Sequence, residues 1–318
     1  MALVDRKMGG RPIWILRKYF SSFTSAVTLT SVNLLNKRII EKYIKYFDVM
    51  EKKGKTPLFR VVNIETVNRC NGTCGFCPAN RLLDKRPMKR MSDELFQKVL
   101  DELDSISWEG QVFLNINNEP LIDKDIIEKA KKIKLKLGNS VSVVLITNGT
   151  LMNIEKLTDC CKWFDEICIN NYSSRYNLTD HNRELFNYLK KRKDLVEKTH
   201  VEFRRRYNDE ILATRAGAAP NKPKKNNNVS SACIYPYTDI TIYPDGIVGL
   251  CCNDCFEITN FGNLSDNSLI EIWNGNKMRS VRKIIGNGRT GYEFCKECDV
   301  SDSGFREKII REVLKYEQ

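Results

Sequence analysis

Cys70-Asn-Gly-Thr-Cys74-Gly-Phe-Cys77 packs three thiols into one short loop, and no other stretch restricts the chain's fold and chemistry as strongly. Three thiolates from a tight loop can ligate three irons of a cubane and leave the fourth iron without a protein ligand. The alternatives are a zinc knuckle or a purely structural cluster. Zinc would lack its fourth ligand here, because the two histidines, His181 and His200, lie far along the sequence. The chain has 12 cysteines and no secretory signal, since the apolar patch Ile13–Leu16 is broken at once by Arg17 and Lys18. That combination points to a reducing compartment, where closely spaced cysteines bind metal more often than they pair. A cytoplasmic location is expected, and no run of about 18 uncharged apolar residues suggests a membrane span.

The pattern around the loop is one of alternating strands and helices. Val61–Val67 is predicted as a buried strand leading into the cysteine loop, and Ser92 caps a helix with Asp93 and Glu94 in its first turn. Strands are then predicted at Val112–Ile116, Val141–Thr147, Glu166–Ile169 and His200–Arg205, with a further short one near Ile211–Thr214. Helices fall between them at Asp125–Leu137, Ile154–Trp163 and Asp180–Lys191. Repeated βα units imply a mainly parallel sheet with helices outside, as a barrel or partial barrel. Apolar content of 42% and charged content of 29% exclude wholesale disorder.

Either side of this core the character changes. Residues 1–60 carry 13 Lys/Arg against four carboxylates, a net +9 out of the chain's +12. Residues 13–50 read as one or two amphipathic helices, with Ile39, Ile40, Tyr43, Ile44 and Phe47 at helical spacing, and 51–57 as a polar linker. This basic arm either packs as a helical extension on the main domain or meets an anionic membrane surface or an acidic partner. Ala216–Ser231, with Gly217, Pro220, Pro223 and Asn226–Asn228, reads as a flexible linker. Beyond it, Asp239–Tyr243 and Ile247–Cys251 flank Pro244-Asp245-Gly246 as a hairpin. Helices near Leu269–Ile285 and Phe305–Tyr316 follow. The expected organisation is therefore 1–60, 61–215, a linker 216–232, and 233–318.

The C-x3-C-x2-C loop after a first strand resembles the hallmark of the radical SAM superfamily. Asn117-Asn118-Glu119-Pro120 after the second strand is similar to that family's Gly-Gly-Glu-Pro, with both glycines replaced. Thr147-Asn148-Gly149 closes the third strand. The resemblance spans about residues 60–300. It implies a partial (βα)6 radical SAM barrel of the α/β class, followed by a small α+β auxiliary-cluster domain. It implies a [4Fe-4S] cluster on Cys70, Cys74 and Cys77, and S-adenosyl-L-methionine (SAM) bound by Asn117, Asn118, Glu119, Thr147, Asn148 and Phe76. A flavodoxin- or ferredoxin-type electron donor follows from the same resemblance.

A second cysteine set, Cys233, Cys251, Cys295 and Cys298, resembles the one-cluster "twitch" form of the SPASM auxiliary domain. It implies a second [4Fe-4S] cluster, although four cysteines at this spacing would also suit zinc. Cys160, Cys161 and Cys168 read as small buried apolar residues.

Among such enzymes the cysteine spacing is most similar to that of twitch-domain dehydrogenases of aminocyclitol biosynthesis. The implied reaction oxidises a carbinol of a polyol, aminocyclitol or sugar to a ketone, with the auxiliary cluster as electron acceptor. Arg215 is then a candidate for contacting the substrate hydroxyl. A radical epimerase, with Cys252 or Cys255 as hydrogen donor, is a second reading, and peptide maturation a third. From another class comes a zinc-stabilised nucleic-acid-binding protein. The basic charge lies outside the cysteine segments and no aromatic–basic interleaving appears, so no nucleic-acid partner is expected.

Overall fold

The computed structural model describes residues 2–7, 24–222, 231–300 and 305–315, without the side chains of 24–36, 305–308 and 315. Among the described residues nine strands form one sheet. They are β1 (Leu3–Lys7), β2 (Val61–Ile64), β3 (Gly110–Phe113), β4 (Val141–Thr147), β5 (Glu166–Tyr172), β6 (His200–Arg206), β7 (Asp239–Ile242), β8 (Ile247–Gly249) and β9 (Gly262–Asn263). Their order is β1-β6-β5-β4-β3-β2-β7-β8-β9. Every pairing from β1 to β7 is parallel, and β8 and β9 add antiparallel.

Alternation along the strands sorts the two faces. Val62, Ile64, Val112, Leu114, Val143, Leu145, Ile167, Ile169, Val201, Phe203, Ile240 and Ile242 are buried in the core beneath the helices. Their neighbours Asn63, Phe113, Ile146, Asn170 and Arg204 line a concavity on the other face. Crossover helices α2 (Asp93–Ser105), α3 (Ile126–Leu137), α4 (Ile154–Trp163) and α5 (Asp180–Lys191) follow β2 to β5. Ser92, Asn153 and Thr179 cap α2, α4 and α5, each accepting from a backbone N–H in the first turn.

The N-terminal segment differs from the helical extension expected of it. Residues 3–7 are a strand, paired in parallel with β6, and Asp5 accepts from Arg205 at 2.7 Å. A five-residue run with three charged side chains carries no strand signature, so only the free edge of β6 specifies it. The described part of the amphipathic stretch is one helix, α1 (Thr24–Lys52); residues 8–23, where the rest of that expectation falls, lie outside the described residues. Tyr43, Ile44 and Phe47 of α1 are buried, with Phe47 edge-on to Tyr237 and Trp273. The described part of the arm thus packs on the main body.

Three further expectations change. Ile211–Thr214 is not a strand, and the parallel places beside β6 and β2 belong to β1 and β7. The stretch predicted as one helix over 269–285 is two, α6 (Leu269–Trp273) and α7 (Asn276–Gly286). The poor helix formers Asn274-Gly275 divide them, while Trp273 donates to the Pro57 carbonyl at 2.9 Å. The linker is anchored at its start: Thr214 N–H donates to Asp299 at 2.7 Å and its hydroxyl to the Glu297 carbonyl at 2.5 Å. Residues 223–230 lie outside the described residues. Helix α8 (Phe305–Lys315) lies against α1.

Candidate active site

The loop after β2 wraps tightly around its thiols. A Cβ on Gly72 would lie 3.3 Å from Cys70 Sγ and 3.8 Å from Cys74 Sγ, and Gly72 N–H donates to Cys70 Sγ at 3.3 Å. Asn80, which sequence reasoning missed, holds the far end. Its Nδ2 donates to the carbonyls of Cys74 (3.2 Å) and Cys77 (2.8 Å), and its Oδ1 accepts from the amides of Leu82 and Leu83. Burial pushes the Cys70 thiol up to about 12 and the Cys74 thiol up to about 11. Such thiols keep their protons until a metal displaces them.

The three thiols border a cavity of about 320 Å³ at the C-terminal ends of the strands. On its wall stand Phe76, Asn117, Asn118, Glu119, Thr147, Asn148, Arg215 and Cys252, all of them site residues named from the sequence. Phe76 is buried and packs on Tyr172, ring centroids 5.6 Å apart. A space of this size beside three clustered sulfurs exceeds what one metal ion needs. The donor set fits a cubane with one open iron and a bound organic molecule next to it.

Glu119 ties two loops together. Its Oε1 accepts from the Thr147 hydroxyl at 2.6 Å and from Leu121 N–H at 3.2 Å, and its Oε2 from Asn148 N–H at 2.7 Å. Burial still raises its pKa. Neither Asn117 nor Asn118 has a positive φ, so the family's glycines are replaced without backbone strain. Asn118 Nδ2 and Asn115 Oδ1 are buried beside the cavity with no partner, and unsatisfied polar atoms in such a place await a ligand.

Asn117 is a junction. Its N–H donates to Glu65, its Nδ2 to the Cys252 carbonyl at 3.0 Å, and its Oδ1 accepts from Arg215 at 3.1 Å and from Cys255 Sγ at 3.2 Å. Arg215 also reaches the Cys252 carbonyl at 3.4 Å. It begins a left-handed run, φ 51° at Arg215, 54° at Ala216 and 85° at Gly217, held by the Thr214 anchors. A side chain on Gly217 would collide with Glu297. Arg204 and Arg206, also missed, line the same wall but are neutralised by Glu202 and Glu210 at 2.6 Å. No such pair to Arg215 occurs among the described residues. The signal for these residues was the polar alternation Asn170, Tyr172 and Arg204, Arg206 along β5 and β6.

The second cysteine set also converges. Cys233, Cys251, Cys295 and Cys298 line one enclosed cavity, with Arg289 beside them. Cys252 and Cys255 do not line it. Consecutive residues Cys251 and Cys252 therefore face two different cavities. Four thiols suit either zinc or a cubane. Cys160, Cys161 and Cys168 are all buried, as read from the sequence, and the Cys168 thiol also reaches Glu166 at 3.2 Å. Among the described residues no helix is long and apolar enough to cross a membrane.

Comparison with known proteins resolves the metal chemistry. Residues 64–170 match the radical SAM superfamily, and residues 233–299 match SPASM, an iron–sulfur cluster-binding domain. The chain is 23% identical over 251 residues to an S-adenosyl-L-methionine-dependent 2-deoxy-scyllo-inosamine dehydrogenase of Niallia circulans, covering 76% of this chain and 93% of that one. Its fold is that of BtrN, solved with AdoMet and 2-DOIA, at TM-score 0.66 and 21% identity, covering 77% of this chain and 94% of that one. It is also similar to Streptococcus suis SuiB, solved with its precursor peptide, at TM-score 0.51 and 13% identity, covering 79% and 72%.

Proposed function

From the premise that this chain belongs to the radical SAM superfamily and carries a SPASM-type iron–sulfur domain, we propose that it oxidises a carbinol of a polyol, aminocyclitol or sugar to a ketone. SAM and iron–sulfur clusters are its cofactors. When bound, the cluster of the first loop and SAM supply a reductively generated 5′-deoxyadenosyl radical that takes a hydrogen atom from carbon.

Cys70, Cys74 and Cys77 would hold that cluster. Glu119, with Asn117, Asn118, Thr147 and Asn148, would orient the SAM amino-acid end, and Phe76 would supply an apolar wall. Carbinol oxidation removes one hydrogen atom from carbon, one proton from oxygen and one electron, so an electron acceptor must lie close by. The observation that carries the reading is the Cys251–Cys252 adjacency, which puts the four-thiol cage directly behind the substrate wall. Arg215 stays cationic. It would donate a hydrogen bond to the substrate oxygen and stabilise negative charge there, leaving proton removal to another group. The 2-deoxy-scyllo-inosamine dehydrogenase relative supports an aminocyclitol or similar polyol. The electron donor is proposed as a flavodoxin or ferredoxin.

The test is anaerobic reconstitution, with about eight irons and eight sulfides expected for two cubanes, followed by incubation with SAM, dithionite and 2-deoxy-scyllo-inosamine or related polyols. Ketone and 5′-deoxyadenosine should form together. Zinc with little iron would overturn the reading. Epimerisation is a second reading, because Cys252 is among the residues that line the cavity. In deuterated buffer an epimerase would place solvent deuterium in an inverted product and stall as Cys252→Ala, whereas a dehydrogenase would do neither.

A further inference from the structure

Two arginines, Arg282 and Arg289, are almost wholly buried, 1% and 5% exposed, and their surroundings are opposite. Arg282 donates to the Pro236 carbonyl at 2.9 Å, lies 3.5 Å from Glu51, and stacks 3.9 Å over the Trp273 ring. Its charge faces the Glu51 carboxylate and the Trp273 ring, although its NH2 is buried without a hydrogen-bond partner. Arg289 follows Gly288, whose φ of 127° turns the chain back from α7 toward the second thiol set. Its NH1 donates to the carbonyls of Val300 (2.6 Å) and Cys298 (3.4 Å) and stands 3.9 Å from Cys298 Sγ. Its Nε is buried without a partner. Among the described residues no carboxylate forms an ion pair with it, and the ionisable groups acting on it most strongly are Cys233, Cys298 and Cys295.

A buried cation without a counter-ion is expensive. Once a bound metal has displaced their protons, the thiolates of the four-cysteine cage would supply the counter-charge. We propose that Arg289 tunes the auxiliary cluster: its fixed positive charge favours the reduced form, so that the cage accepts the single electron released by carbinol oxidation. This rests on the electron-acceptor role proposed above. Reduction adds one negative charge to the thiolate-bound cluster and removes none from the protein. A guanidinium held against one of the sulfurs in a low-dielectric site therefore raises the reduction potential.

The experiment uses the full-length chain with Cys70→Ala, Cys74→Ala and Cys77→Ala together, so that only the auxiliary cluster remains. Iron is counted, and the cluster is titrated anaerobically by electron paramagnetic resonance. About four irons per chain are expected. Adding Arg289→Gln should lower the reduced-to-oxidised ratio at a fixed ambient potential about tenfold, which for a one-electron couple is about 59 mV. Arg289→Lys, which keeps the charge but not the fork, should titrate like the parent. An unmoved potential in Arg289→Gln overturns the proposal. So does an equal fall in both variants, or loss of iron from both, since either would assign Arg289 to hydrogen bonding alone. A triple-alanine parent without iron would instead sink the second cluster itself, apart from any role of Arg289.

Discussion

Single residues set the chemistry of the barrel mouth, and two buried carboxylates there differ in their partners. Glu65 is buried, receives one hydrogen bond from Asn117 N–H, and its other oxygen has no partner. Burial lifts its pKa from 4.5 to about 8. At neutral pH it is protonated in the folded chain and ionised in the unfolded one. Its contribution to stability is therefore level below pH 4.5, falls by about 1.4 kcal/mol per pH unit up to about 8, and is level again above. Glu65→Gln should remove that slope, as denaturant titrations of the apoprotein between pH 5 and 8.5 would reveal; an unchanged slope would mean Glu65 is ionised in the fold. Glu119 is also raised by burial, but three donors on its two oxygens oppose that shift. Glu119→Ala leaves the Thr147 hydroxyl and two amides without their acceptor, costing about 1–3 kcal/mol. It should also weaken SAM binding about tenfold or more, measured by equilibrium dialysis on reconstituted protein.

At the level of elements, residues whose chemistry is local could be read from the sequence, and those placed by tertiary context could not. The thiol loop, Glu119 before Pro120, the strand-end Thr147 and the cap Ser92 each carry a short-range signature. β1 does not, because its pairing is decided by the open edge of β6, some 200 residues away. Arg215, at the edge of the predicted linker, was named only through the family resemblance; the Thr214 contacts to Glu297 and Asp299 hold the chain beside it. Asn80 and Glu65 were missed because their partners are backbone groups and a residue about 50 positions distant. α1 shows how far an apparent appendage is built in. Phe47 meets Tyr237, Trp273 and the Arg282 guanidinium, 4.9 Å from its ring. Phe47→Ala should cost about 3–5 kcal/mol. A loss under about 1 kcal/mol in urea titration would show that α1 is merely laid on the surface.

For the whole molecule, the sheet runs unbroken from the barrel into the cysteine-rich C-terminal segment through the β2–β7 pairing. β7 also buries Ile240 and Ile242 in the common core. The apoprotein is accordingly expected to unfold in one transition, with residues 233–318 unable to fold when expressed alone. Two resolved calorimetric transitions, or a folded isolated fragment, would contradict this. The adjacency of Cys251 and Cys252 has its consequence at this same scale. Cys251 lines one chamber and Cys252 the other, and neighbouring Cα atoms across a peptide link stand about 3.8 Å apart. Opening of the barrel mouth or exchange of substrate cannot stretch a covalent bond. On the proposed electron-acceptor role this covalent link is a fixed joint between the two chambers, and one inserted residue between 251 and 252 is the smallest change that would part Cys251 from Cys252.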